Sequence, residues 1–227
     1  ILTGKAGTSC AGCHKPDAGY TDGDLHDGLN TPTLINGVYN RHQFWDGRAS
    51  SLEEVVFAPP GGRGPAREFR HAWDGVVERL RKDDRYRESF EQVFGCAPTQ
   101  DDVSKALASY LRTILAGDSV HDRALRERKG SRRLEAKHYE AVLTPAILGK
   151  ELLRPGAARA DVAEELYQGY RLFRGKARCY HCHSGANFSD GQFHNLGVGW
   201  RDRDDLAGPG EEKGRFAVLP VGLKAPD

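Results

Sequence analysis

The chain has 227 residues, 38% of them apolar and 29% charged, and its 33 Lys and Arg against 32 Asp and Glu leave a net charge of +1. That length allows one large or two modest domains, and intermixed charges of both signs give no electrostatic basis for binding nucleic acid or a membrane surface. No apolar run approaches the ~20 residues of a spanning helix, so no membrane span is expected.

The first element in chain order is Cys10-Ala11-Gly12-Cys13-His14, and its pattern returns as Cys179-Tyr180-His181-Cys182-His183. Cys-x-x-Cys-His is the attachment signature of a c-type haem. Both thiols reach one edge of the porphyrin as thioethers, and the next-residue histidine supplies an axial nitrogen to iron. Zinc is the rival reading, but zinc-binding Cys pairs usually stand about 15–20 residues apart, whereas about 165 residues intervene here. Neither zinc nor a disulfide within each pair accounts for a histidine after both. Two covalent haem c groups are therefore expected, on Cys10, Cys13 and His14 and on Cys179, Cys182 and His183, with His14 and His183 as iron ligands. The fifth cysteine, Cys96, follows a helical stretch and reads as a structural thiol.

Between the motifs the chain reads as helical with glycine-rich connections. Ala49 to Val56 is a short helix. Trp73 to Phe94 places Val76, Val77, Leu80, Tyr86, Phe90, Val93 and Phe94 mostly at helical spacing. Thr99 is an N-cap candidate with Asp101 and Asp102 in the first turn, and the helix it starts carries Val103, Ala106, Leu107, Tyr110, Leu111 and Ile114, ending near Gly117. The stretch from Gly117 to Asp161 is basic and irregular, a solvated linker. Asp161 to Phe173 is helical again, with Val162, Leu166, Tyr170 and Phe173 on its inner face, and runs into the second motif. No hairpin or alternating strand pattern stands out. His71, His121 and His138 occupy no recognisable ligand positions and read as surface or core residues.

The chain also repeats internally. Tyr20-Thr21-Asp22-Gly23-Asp24-Leu25-His26 follows His14, and Phe188-Ser189-Asp190-Gly191-Gln192-Phe193-His194 follows His183 at nearly the same distance. Duplication of a haem-binding unit explains this. The fold class expected is mainly α, two cytochrome-c-like haem domains with long loops: an N-terminal domain over 1–118, a linker or insertion over 119–160, and a C-terminal domain over 161–227 that reads as incomplete. Haem c is normally attached outside the bacterial cytoplasm, so a periplasmic location and a secretory signal are expected. None is present; the chain opens at Ile1 and stops at Asp227 in a connecting segment, so both ends read as cut.

Taken with the two motifs, Thr31-Pro32-Thr33-Leu34-Ile35-Asn36, Phe44-Trp45-Asp46-Gly47-Arg48-Ala49 and Phe193-His194-Asn195-Leu196-Gly197-Val198 resemble the bacterial di-haem cytochrome c peroxidases. That group includes related enzymes that oxidise tryptophan side chains of partner proteins during cofactor maturation. The resemblance covers nearly the whole chain apart from an insertion around Arg128 to Arg159. It implies that the haem on His14 meets hydrogen peroxide, that the haem on His183 receives electrons, and that Trp45 lies between the two and relays them. It also makes Asn30 a calcium ligand, with the other ligands beyond Asp227. The donor it implies is a small c-type cytochrome or a cupredoxin, and homodimers are common in the group.

Departures from the family matter as much. Val55 stands where the peroxidases carry a pocket glutamine, and it can neither donate nor accept a proton. Glu68 is the best candidate for the pocket glutamate, with Glu54 as an outside option. His26 lies in the loop that supplies a displaceable iron ligand in many peroxidases. The repeat pairs His26 with His194, which favours a structural job such as bonding a haem propionate. The second ligand of the C-terminal iron is a methionine or tyrosine from a later segment in the family; this chain has no methionine, so the ligand follows Asp227 if the protein continues there, and this haem is abnormally open if it does not. The readings rank as peroxidase first, then a maturation oxidase acting on Trp or Tyr of a partner protein, then a non-catalytic electron carrier.

Overall fold

Helices carry most of the regular structure, in agreement with a mainly α class. This computed structural model describes residues 9–26, 29–57, 73–145 and 156–194, leaving aside the side chains of Leu25, His26, Leu29 and Asp74. The helices are α1 (Cys10–Cys13), α2 (Leu52–Val56), α3 (Trp73–Lys82), α4 (Asp84–Phe94), α5 (Gln100–Leu111), α6 (Val120–Glu127), α7 (Ala136–Val142) and α8 (Arg159–Arg174). Single 3-10 turns occur at Pro16–Ala18, Gly37–Tyr39 and Cys179–His181. Two antiparallel strands, β1 (Leu25–His26) and β2 (Leu29–Asn30), pair with Leu25 opposite Asn30. At two residues each they are too short to show the alternation that marks a strand in sequence.

Side-chain caps set the helix boundaries. Ser51 Oγ accepts from the Glu54 N–H and starts α2. Thr99 Oγ1 accepts from the Asp102 N–H and starts α5, as its sequence position foretells. The single helix expected over Trp73 to Phe94 is instead two. Asp83 leaves the helical region at φ −90° and ψ 113°, and its carboxylate accepts from the Arg85 N–H. A short carboxylate competes for backbone donors in this way, which makes Asp a better cap than interior residue. The stretch read as irregular linker holds both α6 and α7. Ser119 and Asp122 form a reciprocal capping box at the start of α6. At α7 the His138 ring Nδ1 accepts from the Glu135 N–H at 2.9 Å.

The chain divides into two compact units, one of Ile1–Leu115 with Phe193–Asp227 and the other of Ala116–Gln192. In the first, Val56, Trp73, Val76, Leu80 and Val103 form a core fed by α2, α3 and α5, with Phe90 of α4 packed against it. Arg112, at the end of α5, clamps Glu53 of α2 through Nη1 at 2.8 Å and Nη2 at 3.0 Å. In the second, α6, α7 and α8 converge on Ala124, Leu134, Tyr139, Leu143, Val162 and Ala163. Each unit contains one Cys-x-x-Cys-His motif.

Candidate haem-attachment sites

The two motifs share a backbone device. Cys10–Cys13 is one helical turn and Cys179–His181 a 3-10 turn. In both, the histidine N–H bonds the carbonyl of the first cysteine, His14 to Cys10 at 2.8 Å and His183 to Cys179 at 2.9 Å. That turn brings both cysteines and the histidine to one end of a single loop. All five cysteines are thiols rather than disulfide halves.

Each imidazole is held from behind by a main-chain carbonyl. His14 Nδ1 lies 3.0 Å from the Tyr20 carbonyl oxygen, and His183 Nδ1 lies 3.1 Å from that of Phe188. A carbonyl can only accept, so Nδ1 carries the proton and donates, and Nε2 keeps its lone pair for a metal. Tyr20 and Phe188 open the two halves of the sequence repeat, and both adopt left-handed backbone, at φ 60° and 50°. The residues after them also correspond. Asp22 accepts from the Asp24 N–H and Asp190 from the Gln192 N–H, each an Asx turn, with Gly23 and Gly191 at positive φ between them. The repeat therefore encodes one loop geometry used twice, whose outcome is an oriented imidazole beside a thiol pair. Thiols, histidine tautomer and carbonyl partner fit a covalently attached haem at each motif.

Around the first motif a network ties in Trp45. The single hydroxyl proton of Thr21, next to Tyr20, is shared between Asn30 Oδ1 at 2.6 Å and the Thr31 carbonyl at 2.7 Å. The Asn30 carbonyl in turn accepts the Trp45 indole N–H at 2.7 Å. Trp45 stands at the tip of a closed turn. Gln43 and Ala49 bridge its base, Phe44 and Gly47 both hold φ of 66°, and the Arg48 guanidinium lies 3.6 Å over the Phe44 ring while bonding Asp46 at 3.1 Å. The Phe-Trp-Asp-Gly-Arg element is thus a rigid clip that presents an indole. Asn30 already uses its side-chain oxygen on Thr21.

The remaining candidates are placed as follows. Val55 is half-buried on α2 beside buried Val56. Glu54 is engaged with Ser50, accepting from its N–H and its hydroxyl. Glu68 and His71 lie outside the described residues, as does the side chain of His26. Cys96 is exposed and donates to the Asp102 carboxylate at 3.4 Å, which holds its thiol pKa above the ordinary value. The sequence reading found the aromatic residues of the repeat but not their use, since a backbone carbonyl leaves no signature of its own in residue type. His121, expected as a surface or core residue, has its Nδ1 2.7 Å from the hydroxyl of Tyr139, a core residue of the second unit; the sequence carries no sign of that pairing.

Among the described residues no helix is long and apolar enough to cross a membrane. Residues 1–130 match the sequence model of the family described as di-haem cytochrome c peroxidase. The chain is 28% identical to a methylamine utilization protein MauG of Methylophilus methylotrophus, over 96% of this chain and 56% of that one. It is also 28% identical to the cytochrome c peroxidase Ccp of Escherichia coli K12, over 87% of this chain and 37% of that one. It thus spans about half the length of such relatives or less. In fold it is similar to a crystal structure of a MauG-like protein associated with microbial copper homeostasis, with a TM-score of 0.53 and 21% identity over 86% of this chain and 52% of that chain. With more than half of its length matched by the family's model, and with two motif loops of one geometry, the chain belongs to the di-haem cytochrome c peroxidase family.

Proposed function

We propose that this chain is the haem-binding part of a periplasmic oxidoreductase that reduces hydrogen peroxide to water with electrons from a small c-type cytochrome or cupredoxin. The observation that carries this reading is the matched pair of Nδ1-to-carbonyl bonds at His14 and His183, which leaves one nitrogen lone pair per motif for iron. In the proposal Cys10 and Cys13, and Cys179 and Cys182, hold two haem c groups, and His14 and His183 supply an axial nitrogen to each. When bound, haem supplies the redox chemistry; the chain supplies attachment, orientation and protons. That each compact unit holds one motif supports one haem per unit.

The roles of the other residues follow from their surroundings. Reduction of one peroxide consumes two electrons and two protons, so a group that moves a proton is needed where peroxide binds, on the His14 side. Val55 cannot do this, and the proposal gives the task to Glu68. Trp45, its indole N–H fixed on Asn30, is suited to carry an electron because a rigid ring needs little reorganisation. Asn30 Oδ1 retains a second lone pair beyond the Thr21 bond and could serve a calcium ion.

A second reading has its own support. With Val55 at the glutamine position the pocket lacks a hydrogen-bonding side chain there, and losing such a donor can cost ~10²-fold in rate. A slower reaction with peroxide suits a maturation oxidase that takes electrons from Trp or Tyr of a partner protein. The deciding experiment begins with exported protein. Its mass should exceed the polypeptide by two haems, with an alkaline pyridine spectrum typical of thioether-linked haem. Reduced protein is then mixed with peroxide and reduced cytochrome c. Sustained cytochrome oxidation supports the peroxidase. Peroxide consumption without it supports the maturation oxidase, and no consumption leaves a plain carrier. Unmodified thiols would overturn all three.

A further inference from the structure

The core of the second unit contains a polar pair that packing alone does not require. Tyr139 of α7 is 2% exposed, and its hydroxyl lies 2.7 Å from Nδ1 of His121 on α6. The imidazole is sandwiched among rings: its centroid is 5.2 Å from Tyr170 and 6.0 Å from Phe188. Phe188 lies 5.9 Å from Phe173, whose ring is 6.5 Å from that of His183. Phe188 is also the residue whose carbonyl holds the His183 imidazole. The pair is therefore joined to the second motif twice, through tilted and edge-on ring contacts and through the Phe188 main chain.

We propose that Tyr139 is a redox-active tyrosine that gives up one electron toward the second haem site while its phenolic proton passes to His121 Nδ1. In this step the Tyr139 O–H bond breaks. The electron reduces the oxidant, a haem iron oxidised by peroxide, and the proton forms a bond to Nδ1. A neutral phenoxyl radical and an imidazolium remain, and return of both particles restores the pair. The site would hold one oxidising equivalent on the protein, close to the metal but off it. The inference rests on the haem reading for its source of oxidising power.

Chemistry at the pair agrees with this direction. Burial lowers the His121 pKa, opposed only by the neighbouring Asp122 carboxylate, so the ring is neutral near pH 7 and can accept a proton. Burial, with Tyr170 adding to it, raises the Tyr139 pKa far above the usual phenol value. Ionisation ahead of oxidation is thus closed, and electron and proton must leave together. A tyrosine without such an acceptor would have to form a buried phenol radical cation, which desolvation disfavours.

The test is freeze-quenched electron paramagnetic resonance on the holoprotein with two oxidants, hydrogen peroxide and flash-quenched tris-bipyridine ruthenium. A phenoxyl signal that narrows on ring deuteration of tyrosine, and that loses its buried component in Tyr139→Phe, is expected. In His121→Phe, which keeps the ring but not the acceptor, radical formation should lose its slowing in deuterated water. A component that needs Tyr139 and appears with ruthenium alone supports the pair and counts against the peroxide reading. A signal undiminished in Tyr139→Phe, or no phenoxyl with either oxidant, overturns the proposal. Haem content and helical circular dichroism of both variants should match the parent.

Discussion

Tyr20 and Phe188 hold φ of 60° and 50°, a region that costs a non-glycine residue about 1 kcal/mol or more. The same twist turns each carbonyl onto a histidine Nδ1, so the strained backbone and the oriented imidazole are one feature. Replacement by glycine keeps that backbone without strain, whereas a β-branched residue disfavours it. Phe188→Gly should therefore leave the reduction potential of the second haem near the parent value. Phe188→Val should raise it, because an imidazole that loses its acceptor donates less to iron; the cost in activity should be about 10- to 100-fold, typical for such supporting groups. Equal potentials in the two variants would separate the carbonyl from iron chemistry. His121 yields a prediction about pH. Burial keeps its pKa below the ordinary 6.5, so the unfolded chain binds this proton more readily than the folded one. Stability from this group is complete above the unfolded value, falls as pH drops below about 6.5 and levels off under the folded value. In His121→Phe, urea midpoints measured against pH should lose that part of the decline, and an unchanged curve would assign it to another group.

At the scale of elements, the capping box of α6 decides whether an eight-residue helix can form. Helices this short are marginal alone, and Ser119 and Asp122 satisfy two of its otherwise unpaired backbone donors. Ser119→Ala should cost about 1 kcal/mol in denaturant unfolding while leaving the haem absorption of folded protein unchanged. A change in the absorption would mean that α6 shapes the haem site directly. The helices also show which parts of the fold could be read in advance. The Thr99 cap and the apolar face of α5 follow from local rules, since an N-cap and a 3.6-residue period are written in neighbouring residues. The break at Asp83 was hidden because the apolar spacing continues across it, and only the carboxylate's bond to the Arg85 N–H shows that the chain turns there. The segment after Gly117 looked irregular because its charges dominate. Its helices are anchored by few apolar residues, Ala124, Tyr139 and Leu143 among them, and by contacts with a helix that comes later in the chain.

For the molecule as a whole, the chemistry was more legible than its support. Cys-x-x-Cys-His fixes thiols and imidazole within five residues, so the attachment sites stand out in any reading. The carbonyls of Tyr20 and Phe188, the bond from Trp45 to the Asn30 carbonyl, and the meeting of His121 with Tyr139 depend on how loops and helices close, which residue types do not record. One aromatic ring beside each motif is left exposed, Trp45 at 56% and Phe188 at 43%, so a large flat apolar group attached at each motif has protein surface to cover. Burial of one such ring contributes about 2 kcal/mol, and a group bound only by the folded state adds to stability. For a chain of this size that corresponds to about 4–8 °C in melting midpoint per haem. The variant with Cys179 and Cys182 both changed to alanine should therefore have the mass of one haem, not two, melt about 4–8 °C below the parent, and bind more of an apolar dye at room temperature. An unchanged midpoint with one haem missing would mean that the second group sits outside the protein's apolar surface and that Phe188 serves His183 through its carbonyl alone.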